Sequence, residues 1–175
     1  ALHPGRLAEE VERLAHHAFR GEVWEKAVTY LRQAGAKALA RSAYREAVTC
    51  FEQALTALHP LPDGRHKVEA AIDLRLDLRQ ALFPLNELAT IRSHLQEAEE
   101  LAGTLDDPRR LGWVLAYMCG HHLHTGGQVT EVRTFAERVE AIAEELGDVP
   151  LQIVAQYYLT ATPYLSGDYR GTEHA

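Results

Sequence analysis

The residues with most chemical reach are His121, His122 and His124, set close together where a helical pattern ends. Neutral imidazoles ligate metals, and His121 with His124 fall on one face of a helix. A helical metal pair is ordinarily spaced i and i+4 with an acid nearby, and this run has neither that spacing nor the acid. A metal-dependent enzyme built on this cluster is therefore the remote alternative, and a polar groove lining or a solvated helix end is the plainer reading. His16 and His17 repeat the theme more weakly. Cys50 lies between Ala47 and Phe51, and Cys119 stands one position before Gly120, so both read as small packing residues rather than nucleophiles. A reactive thiol needs an electropositive, accessible setting. The carboxylate pairs Glu99-Glu100 and Glu144-Glu145 fall opposite apolar stripes, which marks them as solvated faces rather than an acid-base dyad. No catalytic residue, metal ligand or cofactor is expected, and no G-x-x-x-x-G-K-[ST] loop occurs.

The elements that carry these residues are all helical. No window alternates as a half-buried strand must, and the 175 residues are 46% hydrophobic but only 7% aromatic. Three- and four-residue steps of apolar residues give about eight helices. The first runs over 7–20 with Leu7, Val11, Leu14, Ala15 and Ala18 inward, and the second over 23–40. Tyr44 to Leu58 forms the third, carrying Ala47, Phe51 and Ala54 on one face. After the turn-forming HPLPDGRH come a fourth at 67–83, stopped by Pro84, and a fifth from Glu87 closed by Gly103. Asp107 as N-cap and Pro108 as first residue open a sixth that ends near His124. The Gly126-Gly127 break precedes a seventh, 129–146, with Val132, Ala136, Val139 and Leu146 inward, and Asp148 and Pro150 open an eighth reaching Leu165.

These helices pair. Gly35, Tyr44, Ala47, Phe51 and Ala54, followed by Pro60, match the tetratricopeptide (TPR) signature, in which small residues mark the closest approach of two antiparallel helices. Leu31 and Ala38 stand where that pattern favours Trp and Tyr. Second helices open at Tyr44, Leu88, Val129 and Tyr169, intervals of 44, 41 and 40. The period of about 40 exceeds the ordinary unit of about 34 residues. The expectation is one TPR-like domain over 1–175, with pairs near 22–58, 67–103, 108–146 and 149–175, curving into a right-handed superhelix whose concave side is made of first helices. Opening on Ala1 and closing inside a further helix, it is expected to be a piece of a longer protein.

Aligning Gly35, Arg79, Gly120 and Thr160 turns Arg32, Gln80, Phe83, Tyr117, His121, His124, Tyr157 and Tyr164 toward the concavity. Tyrosine and histidine there would make a wall for a peptide or small molecule, or simply pack a tight superhelix. Gly120 joins the first-pair residues as a packing position.

Charge narrows the partners. The net charge is −7; 12 basic and 12 acidic residues precede and include Leu88, against 6 and 13 beyond it. With no basic stripe a nucleic-acid partner is not expected. No apolar run reaches membrane-spanning length, and two isolated cysteines suit a reducing, cytoplasmic setting. An uncapped edge around Tyr157, Tyr158 and Tyr169 is expected to drive homodimerisation.

The segment ERLAHHAFRGEVWEKAVTYLRQAGAKALARSAYREAVTCFEQALTAL, residues 12–58, resembles the helical-repeat region of large bacterial signalling proteins that join a class III adenylate or guanylate cyclase to an AAA-type ATPase. DLRQAL (77–82), LDDPRRLGWV (105–114) and LSGDYR (165–170) are similar to it as well. The resemblance implies a non-catalytic interaction or regulatory scaffold whose partners include a protein or peptide, among them the parent's own ATPase or cyclase domains. The alternative it implies is a small-ligand sensor of an ATPase-coupled regulator, closing on a small-molecule effector. Catalysis and its metals would belong to other domains of the parent.

Overall fold

The computed structural model describes residues 13–15 and 17–166, with side chains described through Thr162. Among the described residues every regular element is helical. The described part of α1 covers 13–15 and 17–20; it is followed by α2 (Trp24–Ala40), α3 (Tyr44–Leu58), α4 (Arg65–Leu82), a 3-10 turn (Phe83–Leu85), α5 (Leu88–Thr104), α6 (Pro108–His124), α7 (Val129–Leu146) and α8 (Val149–Ser166). Helices begin at Tyr44, Leu88 and Val129, while Tyr169 lies outside the described residues.

The chain divides into two compact units, Ala1–Leu101 and Ala102–Ala175. In the first, α2 packs on α3 and α3 on α4. Ala27, Leu31, Ala34, Gly35 and Ala38 are the buried face of α2, and α3 answers with Ala47, Phe51, Ala54, Ala57 and Leu58. Gly35 fixes the approach: a Cβ there would fall 2.7 Å from Phe51 Cδ1 and Cζ. Only a residue without a side chain lets that fully buried ring lie against the α2 backbone. Arg75 Nε donates to Glu97 Oε2 at 2.9 Å and ties α4 to α5. At the start of α2, the Trp24 ring meets that of Phe19 edge-on at 5.6 Å.

In the second unit α7 packs on both α6 and α8. Leu115, Val139, Ala143, Leu151 and Ala155 form its core, and Cys119, Val132 and Ala136 extend it. Asp107 caps α6, its Oδ1 accepting from the Arg110 amide at 3.0 Å, with Pro108 next in the chain. Asp148 Oδ1 does the same for the Leu151 amide at 3.2 Å.

Three details differ from the sequence reading. α5 continues through Gly103 to Thr104, because an exposed glycine costs only about 1 kcal/mol in a helix already held by its buried face. α4 starts two residues early at Arg65 and ends at Leu82, with Pro84 accommodated in the 3-10 turn. Leu14 and Leu146 face solvent, 44% and 41% exposed, rather than the core; Leu7 and Val11 lie outside the described residues.

Candidate functional site

Helices α2 and α4 leave a cleft between them of about 460 Å3. Val28, Ala36, Ala70 and Leu74 give it apolar walls, and Thr29, Arg32 and Gln33 bring polar groups to it. A second cleft of about 420 Å3 reaches the HPLPDGRH loop and shares Val28 and Ala70 with the first. The loop is held by Lys67, whose Nζ donates to the carbonyls of His59 at 3.1 Å and Leu61 at 2.8 Å and to Asp63 Oδ1 at 3.0 Å.

Arg32 is the predicted groove residue that this cleft contains. Its Nε donates to Asp77 Oδ2 at 2.7 Å and its Nη1 to Asp73 Oδ2 at 3.4 Å, across the space between α2 and α4. Burial opposes the guanidinium charge, but the hydrogen bond and field of Asp77, joined by Asp73, outweigh it and hold the Arg32 pKa above its ordinary value. Asp77 is the reverse case: burial dominates, the like charge of Asp73 adds to it, and the carboxyl sits above the ordinary carboxylate value despite Arg32. The two aspartates were not legible as site residues. Their signal was an i, i+4 acidic pair on α4, which periodicity alone assigns to a solvated face.

Gln80 and Phe83 lie elsewhere, both exposed, and the Arg79 guanidinium stands 5.4 Å from the centre of the Phe83 ring. Tyr117 is half-buried on α6 with its ring 6.2 Å from Trp113. Tyr157 on α8 is 61% exposed and meets Tyr158 edge-on at 5.2 Å. The Tyr164 side chain lies outside the described residues. Of the packing positions, Ala47, Phe51 and Ala54 are fully buried, Tyr44 is half-buried at the start of α3, and Gly120 abuts Tyr158, whose hydroxyl would be 2.8 Å from a Cβ there. Gly112 plays the same part against Leu151, at 2.5 Å, and sequence reasoning missed it; its signal was a glycine inside an otherwise unbroken helix.

The His121 and His122 rings meet edge-on, 5.9 Å apart. His121 is buried, His124 is exposed, and His122 turns to Phe135, 5.4 Å between rings, with Nδ1 3.0 Å from Glu131 Oε2. Among the described residues no group of three His, Cys, Asp or Glu side chains is placed to hold a metal ion. His16 lies outside the described residues. Burial pushes the Cys119 thiol up to about 12, and its Sγ donates to the Val132 carbonyl at 3.7 Å, the setting of an inert packing residue. On α5, His94 was not anticipated at all: burial, then the neighbouring Arg75 charge, lower its pKa and favour neutral imidazole. A further cleft of about 460 Å3 has Leu55, Leu58, Val68 and Leu101 as apolar lining, with Lys67 and Arg75 beside them.

Solved structures with this arrangement exist. BtubC (BKLC) from P. vanneervenii superposes with a TM-score of 0.51 at 16% identity, over 95% of this chain and 82% of that one. A Podosopora anserina protein described as a kinesin light chain with nearly identical TPR-like repeats superposes with a TM-score of 0.60 at 16% identity, over 97% and 91%. The fold is a TPR-like helical repeat. No family model matches the sequence, and no curated protein matches it. The Arg32 cleft lies between α2 and α4. No helix among the described residues is long and apolar enough to cross a membrane.

Proposed function

We propose that this chain is a non-catalytic protein-interaction module whose α2–α4 groove receives a segment of a partner protein. The observation that carries this is the groove itself: apolar walls from two neighbouring first helices, with one ion-paired arginine between them. Repeat folds offer such stacked-helix surfaces to partners. The likeness of residues 12–58 to ATPase- and cyclase-linked signalling proteins supports a regulatory scaffold in a bacterial cytoplasmic protein of that kind, its partner being the parent's own ATPase or cyclase domain. Titration calorimetry against those two domains tests it. Binding is expected to one of them and to be lost in Ala36→Arg, which fills the groove from an exposed position; silence from both, or binding indifferent to Ala36→Arg, sinks the reading.

A second reading, a small-ligand sensor, draws on the Leu55–Leu101 cleft, whose size falls within the range of about 300–1,000 Å3 seen for small-molecule sites. A ligand-dependent rise in melting temperature, abolished by Val68→Arg, is its expected signature. We also propose that two copies associate through the exposed face of α8.

A further inference from the structure

Among the described residues the three most exposed large hydrophobic side chains, Ile153, Tyr157 and Val149, all belong to α8 and follow one another at steps of four. Residues four apart share a helix face, so the three form one apolar stripe about two turns long. Charge sets this helix apart as well. With the sequence VPLQIVAQYYLTATPYLS, α8 is the one α-helix among the described residues that contains no Asp, Glu, Lys, Arg or His. Asp148, just ahead of it, accepts from Arg109 Nε at 2.7 Å through Oδ2, and Glu140 on α7 accepts from Gln156 Nε2. The Tyr157 ring is held edge-on against Tyr158 at 5.2 Å, which leaves it less rotational freedom to lose on docking.

We infer that two copies of this chain pair α8 against α8 in antiparallel fashion, about a twofold axis at Ile153, with Val149 of each copy packed on Tyr157 of the other. The inference rests on the self-association proposed above and gives it a geometry. Charge favours a second copy as the occupant. Each chain carries −7, so two copies repel over most of their surface, whereas α8 on α8 brings uncharged helix to uncharged helix. Size then fixes the direction. The smallest and the largest side chain of the stripe stand four residues to either side of Ile153. Turned antiparallel, valine meets tyrosine at both ends and the helices keep an even separation, as the dense packing of an interface core requires. In a parallel pair tyrosine would meet tyrosine and hold the helices apart at Val149. The antiparallel pair also sets each helix dipole against the opposite end of the other. Such a contact is isologous, the same stripe serving on both sides.

The test is cysteine cross-linking of the intact chain at high protein and salt concentration, in a Cys50→Ser background that removes the half-buried native thiol. A disulfide closes only where two Cα atoms lie within about 7 Å. In the antiparallel pair, positions 149 and 157 are each displaced by about 12 Å from their own counterparts along the helix. Ile153→Cys is therefore expected to give a disulfide-linked dimer on mild oxidation. Val149→Cys and Tyr157→Cys should give none singly, but an equal mixture of the two should cross-link. All three positions face water, so the variants are expected to keep the melting temperature of the parent. Should Cys50→Ser fail to fold, the same substitutions in the unaltered background, with the bridge located by peptide mapping, carry the comparison. Dimers from all three positions singly mean a parallel pair, and dimers from none, with a mass that rises with concentration and is lost in Ile153→Arg, mean another register. Either result overturns this inference and leaves self-association through α8 standing. A mass that never rises, or that rises regardless of Ile153→Arg, removes both.

Discussion

At the scale of single residues, the closest approach in the first unit is decided by Gly35. Replacing it with alanine pits two effects against each other: alanine is better than glycine inside a helix by about 0.8–1 kcal/mol, whereas forcing a methyl into a filled core costs about 1–3 kcal/mol. The second wins here, because the atoms the methyl meets belong to the Phe51 ring, which is fully buried and cannot swing aside. Gly35→Ala is therefore expected to lower unfolding stability by about 1–2 kcal/mol in urea. Adding Phe51→Leu should restore part of that loss, so that the double-mutant cycle shows coupling between the two sites. No coupling, or a stabilised Gly35→Ala, would show that the helices are farther apart than described. Gly35 was readable from sequence because a glycine inside a helical stripe needs a reason. The partners of Arg32 were not. Asp73 and Asp77 lie 41 and 45 residues away from it, and helical periodicity carries no information about which faces of two separate helices will meet.

Among the elements, the helix ends are where sequence and structure part company. Turn after turn closes with a residue in the left-handed region: Glu22 at φ 57°, Ser42 at 60° and Asn86 at 58°, alongside Gly126 and Gly147. Each is followed by an amide reaching back to a carbonyl near the end of the preceding helix, as Val23 does to Ala18 at 3.0 Å, Ala43 to Ala38 at 2.9 Å and Asp148 to Ala143 at 3.0 Å. The glycine-marked stops at Gly126-Gly127 and Gly147 were legible. Those at Glu22, Ser42 and Asn86 have no glycine at the left-handed position, and Gly103 sits inside a helix it was expected to end. The hydrogen-bonded turn, once the following helix packs, outweighs the conformational cost of about 1–2 kcal/mol for an L-residue there. That cost should be recoverable. Ser42→Gly is expected to raise stability by about 0.5–1 kcal/mol, read as a higher melting temperature. Asn86→Gly should gain less, because asparagine already tolerates this region. Equal gains at both positions, or a loss at Ser42, would mean that these turns are held by something other than backbone strain and hydrogen bonding.

For the molecule as a whole, the unsettled surface is α8. Its inner face is buried through Leu151, Ala155 and Thr162, yet Val149, Ile153 and Tyr157, spaced by four, are 59%, 66% and 61% exposed on the other side. A helix apolar on both faces belongs between two partners. Self-association through this face must overcome the repulsion of two chains each carrying −7. Each large apolar side chain newly buried contributes about 1.5–3 kcal/mol, against about 4–15 kcal/mol of lost freedom on association. The pair is thus expected to form only at high protein concentration. Added salt should strengthen it by screening the repulsion. Light scattering over a concentration series should show mass rising with protein and with salt, and Ile153→Arg, at a position already facing water, should hold the chain monomeric without lowering its melting temperature. Unchanging monomer mass at high salt would leave the α8 face without a second copy as its cover.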